Sequence, residues 1–509
     1  MLFNSYEYIF LFLPVSLIVF FLLGSKINHK SAVAWLVGVS IFFYGWWNPV
    51  YVSLIVGSMI FNYAVGVQLG NGQGTEIFRK GLIILGAVVN LALLGYFKYA
   101  NFFVDNLNLV LGTAFHIEKI ILPLGISFFT FTQMAYLVDA YKREVHEHNF
   151  LHFFLFVTFF PHLLAGPILH HKEIMPQFKQ KAIYKPHVDN FAVGITIIAM
   201  GLFKKVILAD GVAEYASPVF AAAESGSALI TFFDAWGGAL AYTLQIYFDF
   251  SGYTDMAIGS ALLFGIKLPL NFNSPYKSLN IIDFWRRWHM TLSRFFRDYL
   301  YIPLGGNRYG TSRTAANLVI TMLLGGLWHG AGWTFILWGA LHGLYLVINH
   351  IWRVFREKGL GHDLSRTTFL GRTISLITTL SAVIIGWVFF RAQTLKGAAR
   401  MLQGMFGTNG ANVPTVFNKV HPALSLLLEK LHISGGTESG IVFTTKWATI
   451  ILVSLILFLP NSMEYVSKIF SGDKHSGIRL FAYAAFTSLL IIWAVMAIGK
   501  PSEFLYFQF

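Results

Sequence analysis

A chain of 509 residues that is 56% hydrophobic and only 12% charged is too apolar for a soluble globular domain, and it is expected to be an all-α polytopic membrane protein. It contains no cysteine, which excludes disulfides, thiol nucleophiles and thiolate metal sites. The formal charge of +13 is spread over short loops between apolar segments, a distribution that reports membrane topology and argues against a nucleic-acid surface.

The first apolar run, Tyr8 to Leu23, follows Glu7 in place of a basic region, contains Pro14 and has no small-residue cleavage site before Lys26. It is expected to be a retained helix, not a signal peptide. Further apolar segments lie at 32–47, 49–69, 81–96, 120–138, 150–168 and 189–207, then at 228–247, 252–268, 314–327, 333–351, 373–391, 447–460 and 480–498. They predict about 11 to 14 transmembrane or half-membrane helices around a central tunnel, the shorter ones falling below the roughly 20 residues of a full crossing. With the N-terminus outside, strict alternation places 24 of the 37 Lys and Arg residues on the cytoplasmic side. Lys172, Lys179, Lys181 and Lys185 fall on the other side, and a re-entrant hairpin around Pro161 and Pro167 would bring them in. Residues 1–509 read as a single membrane-embedded domain without repeats, with its catalytic core stretch expected at 279–342. The longest polar connection, 396–446, is expected in the periplasm, where the amphipathic run Pro422 to Leu431 offers a docking surface.

On a helical wheel Arg286, Arg287, Arg294 and Arg297 fall within one arc of about 100°, opposite Phe284, Trp285, Trp288, Leu292, Phe295, Phe296 and Tyr299. The pattern predicts one interfacial amphipathic helix ending near Pro303. It serves either as an anchor on anionic headgroups or as a clamp in which arginine forks hold phosphates. His289 lies at the border of the apolar face. Farther on, His329 ends an apolar span among Gly325, Gly326, Gly330 and Gly332, with Trp328 and Trp333 able to wall a narrow passage. A neutral imidazole there is able to take a proton from a hydroxyl attacking an acyl carbonyl; the alternative is a histidine satisfied by a neighbouring helix, a reading that is stronger for His342, His162 and His350. Asp249 and Asp255 lie in or beside an apolar span, and either order a histidine, line a polar pore or bond structurally at a helix break. No nucleophile elbow, phosphate-binding loop, dinucleotide fingerprint or zinc motif is present, which removes soluble hydrolase and nucleotidase readings.

The segments Phe284-Trp-Arg-Arg-Trp-His289, Ser293, Phe296-Arg-Asp-Tyr299, Pro303-Leu-Gly-Gly306 and Leu327-Trp-His-Gly330 resemble the membrane-bound O-acyltransferases, above all the bacterial branch that O-acetylates alginate and peptidoglycan. The likeness extends to Met1-Leu-Phe-Asn-Ser5, Leu122-Pro-Leu-Gly-Ile-Ser127, Phe160-Pro-His-Leu-Leu-Ala-Gly-Pro167, Phe248-Asp-Phe-Ser-Gly-Tyr-Thr-Asp255 and Asn271-Phe-Asn-Ser-Pro-Tyr276. The resemblance implies a bacterial inner-membrane enzyme that takes acetyl from cytoplasmic acetyl-CoA, with no permanently bound cofactor and no metal. His329 matches the family's invariant histidine and His289 its second, more cytoplasmic one. The arginines would then gather the phosphates of the donor, the tryptophans would exclude water, and a separate periplasmic acetyltransferase would place the acetyl group on a polysaccharide, alginate-type first and peptidoglycan as the alternative. The rival from another class is a proton-coupled transporter or flippase, for which inverted symmetry between the halves is expected; none is visible.

Overall fold

The computed structural model describes residues 1–71, 74–145, 149–364, 366–414, 430, 433–436, 440–470, 477–499 and 505. The run Pro422 to Leu431 lies outside the described residues except for Lys430. Helices account for nearly all the described secondary structure; the exception is a short parallel strand pair, Ala411–Pro414 with Ile433–Gly436. Among the described residues six helices are long and apolar enough to cross a membrane, and Val442–Ile456 and Phe481–Ala497 are shorter apolar helices. Large apolar side chains such as Leu109, Val188 and Phe369 are more than four-fifths exposed, as side chains that face hydrocarbon would be.

The chain forms two compact units. The first comprises Met1–Lys205, Ser251–Asn271 and Ser462–Phe509. Within it Asn28, Thr75 and Asn149 start three helices by accepting backbone N–H bonds on their side chains, which satisfies donors that have no partner in the helix itself. Gly66 and Gly86 let the Val50–Gly70 and Glu76–Leu94 helices close on Tyr136 and Leu137 of the Ile126–Tyr141 helix, since a Cβ at either glycine would overlap those side chains. Asn62 and Asn90 bond each other reciprocally across the first pair of helices, at 2.7 and 3.2 Å. The expected span 150–168 is not one helix: Phe150–Thr158 ends at Phe159, a short turn follows over Phe160–Leu163, and irregular backbone leads to His171. Every residue from 153 to 171 is buried, so protein, not lipid, surrounds this irregular backbone.

A second correction concerns 228–247 and 252–268, expected as two spans. They are one helix, Phe232–Leu263. Gly252 and Gly259 do not break it, because they lie seven residues apart, two helical turns, and fit against the backbone of Gly201 and Gly194 on Val188–Phe203; a Cβ at Gly252 would come 2.6 Å from the Gly201 carbonyl oxygen. One turn away, Asp255 pairs with Lys204 at 2.8 Å and accepts a hydrogen bond from the Ser462 hydroxyl.

The second unit comprises Val206–Phe250 and Phe272–Asn461. Its centre is the hairpin of Thr311–His329 and Trp333–Val354. A Cβ at Gly326 would overlap the Phe335 carbonyl oxygen and one at Gly339 that of Met322, so these glycines bring the two helices into backbone contact. Phe369–Arg391 packs along Trp333–Val354. The connection expected to begin as polar loop at 396 begins instead as a helix, Leu395–Met405, held on Asp210–Ser225: Glu224 accepts from the Gln393 and Thr394 N–H groups and the Thr394 hydroxyl, and Arg400 donates to the Ala223 and Glu224 carbonyls.

Candidate active site

The arginine segment is not the single amphipathic helix its periodicity predicts. Asn280 caps a short helix, Ile281–Trp285, by accepting the Asp283 N–H at 2.9 Å; a turn follows, and a second helix runs Met290–Phe296. Between them His289 takes a left-handed backbone conformation, φ 42° and ψ 54°. Such a conformation costs on the order of 1–3 kcal/mol for a residue with a side chain and persists where its surroundings hold it. The hold is visible: the Arg287 carbonyl accepts from the Asn273 N–H at 2.9 Å, Arg287 Nε donates to Asp283 at 2.9 Å, and Asn461 bonds both Asn273 and Ser274 at 3.1 Å. The result is that His289 is buried completely instead of sitting at a face border.

The four arginines therefore do not share one exposed arc. Arg286 and Arg297 are exposed, Arg297 forking onto the neighbouring Asp298 at 2.7 and 3.1 Å, while Arg287 and Arg294 are half-buried.

His329 is the last residue of its helix, and the chain leaves it through extended backbone at Gly330. Its ring is 3% exposed and lies 4.9 Å from Trp328, 5.1 Å from Trp338 and 5.1 Å from Phe390, between centroids. His289 also lies beside Trp328, at 6.2 Å, and meets Phe250 at 4.8 Å. The structure thus gathers the two histidines singled out in the sequence around one indole. Trp288 stands in the wall beyond them, 4.8 Å from Trp387 and stacked on Phe284 at 5.7 Å. Trp387 is fixed in turn by donating to the Tyr276 hydroxyl at 3.1 Å, which donates to the Thr243 carbonyl at 2.8 Å.

Trp333 is 53% exposed and does not join the wall around His329. The break between Gly330 and Gly332 starts a new helix whose inward stripe is Thr334, Trp338 and His342, spaced four residues apart and 3%, 1% and 0% exposed. Trp338, not Trp333, therefore closes on His329. Trp338, Trp387 and Phe390 are the wall residues that pattern reasoning missed; helical spacing counted from Gly332 would have found Trp338.

Asp249 and Asp255 separate. Six residues apart on one helix, they point about 120° from each other. Asp249 is fully buried in the second unit, whereas Asp255 is occupied by Lys204 and Ser462 in the first, the structural alternative raised for it. Among the described residues no group of three His, Asp or Glu side chains is placed to hold a metal ion.

A buried imidazole at a helix end, walled by aromatic rings and backed by a second imidazole, suits proton transfer in a water-poor space. Comparison with known proteins points to acyl transfer. The model of the membrane-bound O-acyltransferase family, MBOAT, matches residues 76–387. A peptidoglycan O-acetyltransferase of Helicobacter pylori is 40% identical over 540 residues, covering 100% of this chain and 98% of that protein. A probable alginate O-acetylase, AlgI, of Pseudomonas aeruginosa is 44% identical over 80% of this chain and 75% of its own length. A teichoic acid D-alanyltransferase of Bacillus subtilis is 29% identical over 52% of this chain and 68% of that protein.

Proposed function

We propose that this chain, which belongs to the membrane-bound O-acyltransferase family and is a multi-pass membrane acyltransferase, moves acetyl from cytoplasmic acetyl-CoA across a bacterial inner membrane for O-acetylation of an extracytoplasmic polysaccharide. The observation that carries the reading is the burial of His329 within its aromatic wall, with His289 beside the same indole, Trp328.

In this reading the neutral imidazole of His329 takes the proton of the acceptor hydroxyl as its oxygen attacks the thioester carbonyl. The carbon–sulfur bond then breaks, and the proton passes from the imidazolium to the departing thiolate. His289 orients the thioester or relays that proton. Trp288, Trp328 and Trp338 keep out the water that would hydrolyse the donor. Asp249, buried in the same unit, is assigned the ordering of polar groups around this space.

Arg286, Arg287, Arg294 and Arg297 take the phosphates of the donor, with the exposed pair, Arg286 and Arg297, carrying most of the contact. Their single neutralisation should raise KM for acetyl-CoA several-fold and change kcat less, because contacts remote from the carbonyl bind ground state and transition state alike. Unchanged KM with weakened membrane association would assign the arginines to lipid headgroups.

The acceptor is read first as an alginate-type polymer, from the 44% identity to the alginate O-acetylase. A second reading, peptidoglycan, is favoured by the relative that aligns along 98% of its own length, through the region after Lys396. The polymer is the final acceptor: since a bulky glycan cannot enter a closed aromatic space, the hydroxyl that attacks at His329 is proposed to be carried by an intermediate acceptor, from which a periplasmic acetyltransferase passes the acetyl group to the polymer. The test is CoA release by the purified protein from acetyl-CoA, followed by base-labile acetate in exopolysaccharide and in sacculi from cells with and without the gene. Absence of CoA release with and without periplasmic extract would refute the donor, and acetate lost from only one polymer would name the acceptor.

A further inference from the structure

Beside the two histidines of the proposed mechanism the second unit holds a third, His342, which that mechanism does not use. Its ring is fully buried among Trp338 at 4.8 Å, Trp285 at 5.3 Å, Tyr345 at 5.6 Å and Phe284 at 6.2 Å. Both of its nitrogens lack a hydrogen-bond partner among the described residues, and so do the buried indole nitrogens of its two neighbours, Trp285 and Trp338, whose rings are 5.7 Å apart. Four unsatisfied polar atoms on three touching rings are far from what a structural aromatic cluster needs, because each costs free energy that phenylalanine or leucine at the same position would not.

Gly386 faces this place. A Cβ on Gly386 would come 2.8 Å from His342 Nε2 and 3.6 Å from Cδ1 of Trp338, the carbon beside its indole nitrogen. Any side chain at this point of the Phe369–Arg391 helix would therefore press on the polar edges of both rings.

The atoms define what fits. Two indoles are donors only, and a neutral imidazole offers one donor and one acceptor. A secondary amide answers three of these four atoms, its carbonyl oxygen accepting two bonds and its N–H giving one, from two atoms set apart on a rigid plane. A hydroxyl offers the same count from a single oxygen, which reaches fewer of the three rings.

Position adds the rest. Trp285 immediately precedes the exposed Arg286, and Trp338 touches both His342 and His329, the latter at 5.1 Å. The cage therefore shares Trp338 with His329 and adjoins Arg286 in the chain. We propose that His342, Trp285 and Trp338 bind an amide of the pantetheine arm of the acyl donor, and so set how far the thioester reaches toward His329. The inference rests on acetyl-CoA being the donor.

The test uses the full-length protein in detergent and compares dissociation constants for CoA and for adenosine bisphosphate, which keeps nucleotide phosphates and lacks the arm. His342→Leu should weaken CoA by about 10- to 100-fold, the loss when a buried hydrogen bond to a ligand goes unmade, and leave adenosine bisphosphate where it was. Gly386→Ala should do the same with His342 intact. Trp338→Phe, which removes one N–H and keeps a ring, should weaken CoA several-fold and serves if His342→Leu does not fold. His342→Gln, which retains a donor and an acceptor, should recover part of the affinity. The melting temperature of His342→Leu should hold or rise, since an apolar side chain leaves no polar atom unsatisfied.

Unchanged CoA affinity in His342→Leu and Trp338→Phe would overturn the proposal, as would equal weakening of both ligands, which would assign His342 to the fold. An unaltered protein that binds CoA no tighter than adenosine bisphosphate, while still releasing CoA from acetyl-CoA, would overturn the amide contact alone. One that neither binds CoA nor turns over acetyl-CoA would overturn the donor reading and this inference with it.

Discussion

Replacement of His329 by alanine is expected to lower acetyl transfer by about 100- to 10,000-fold, the usual contribution of a positioned general base, while the protein still inserts and accumulates in the membrane. The separation of these two effects follows from where His329 sits. It is the last helical residue before extended backbone at Gly330, so its side chain contributes nothing to the helix's own hydrogen bonds. The aromatic wall around it is anchored elsewhere, through Trp387, Tyr276 and the Thr243 carbonyl. The measurement is CoA release per mole of folded protein, with the melting temperature recorded for the same preparation. His329→Gln, which fills the space but transfers no proton at neutral pH, should be as inactive as alanine. Wild-type turnover in either variant would remove His329 from the chemistry and return it to the structural reading its spacing also allows.

The spans were legible because lipid leaves the backbone few choices: an apolar run that must satisfy every N–H and C=O internally becomes a helix, as at Val50–Gly70, Trp333–Val354 and Phe369–Arg391. What was not legible depends on contacts between segments distant in sequence. Gly252 and the polar residues around it read as a break between 247 and 252, yet the helix runs through them, because Gly252 meets the Gly201 backbone and Asp255 finds Lys204. At His289 the failure is different. Its left-handed backbone leaves no mark in composition, since the residue is not glycine, and the basic and apolar periodicity continues across the turn as if nothing happened. Trp333 was expected in the wall because it is near His329 in sequence; the glycine break resets the helical phase, and Trp338 and His342 take the inward positions. The residues assigned the chemistry therefore stand out by type and motif, whereas the rings that enclose them are set by a turn geometry no single stretch encodes.

That phase depends on how closely the hairpin packs, and Gly326 is where it can be tested. A Cβ at this position would overlap the carbonyl oxygen of Phe335, a backbone atom that no side-chain rotation can move away. Gly326→Ala should accordingly force the Thr311–His329 and Trp333–Val354 helices apart and destabilise the protein by about 3 kcal/mol, the upper part of the usual overpacking range. His329 is three residues, almost one turn, beyond Gly326, while Trp338 rises from the opposite helix, so the same displacement widens the space between imidazole and indole. Misplacement of a reacting group by about 1 Å costs roughly 100-fold in rate, and the surviving folded fraction should show a loss of that order in kcat. Gly57→Ala, where the added Cβ would meet nothing within 4 Å, is the matched control and should change neither quantity. Melting curves and CoA release on both variants distinguish the outcomes: a Gly326→Ala protein as stable and as active as Gly57→Ala would mean that the hairpin tolerates separation, and that the seat of His329 is fixed by Phe390 and Trp328 without the help of close helix packing.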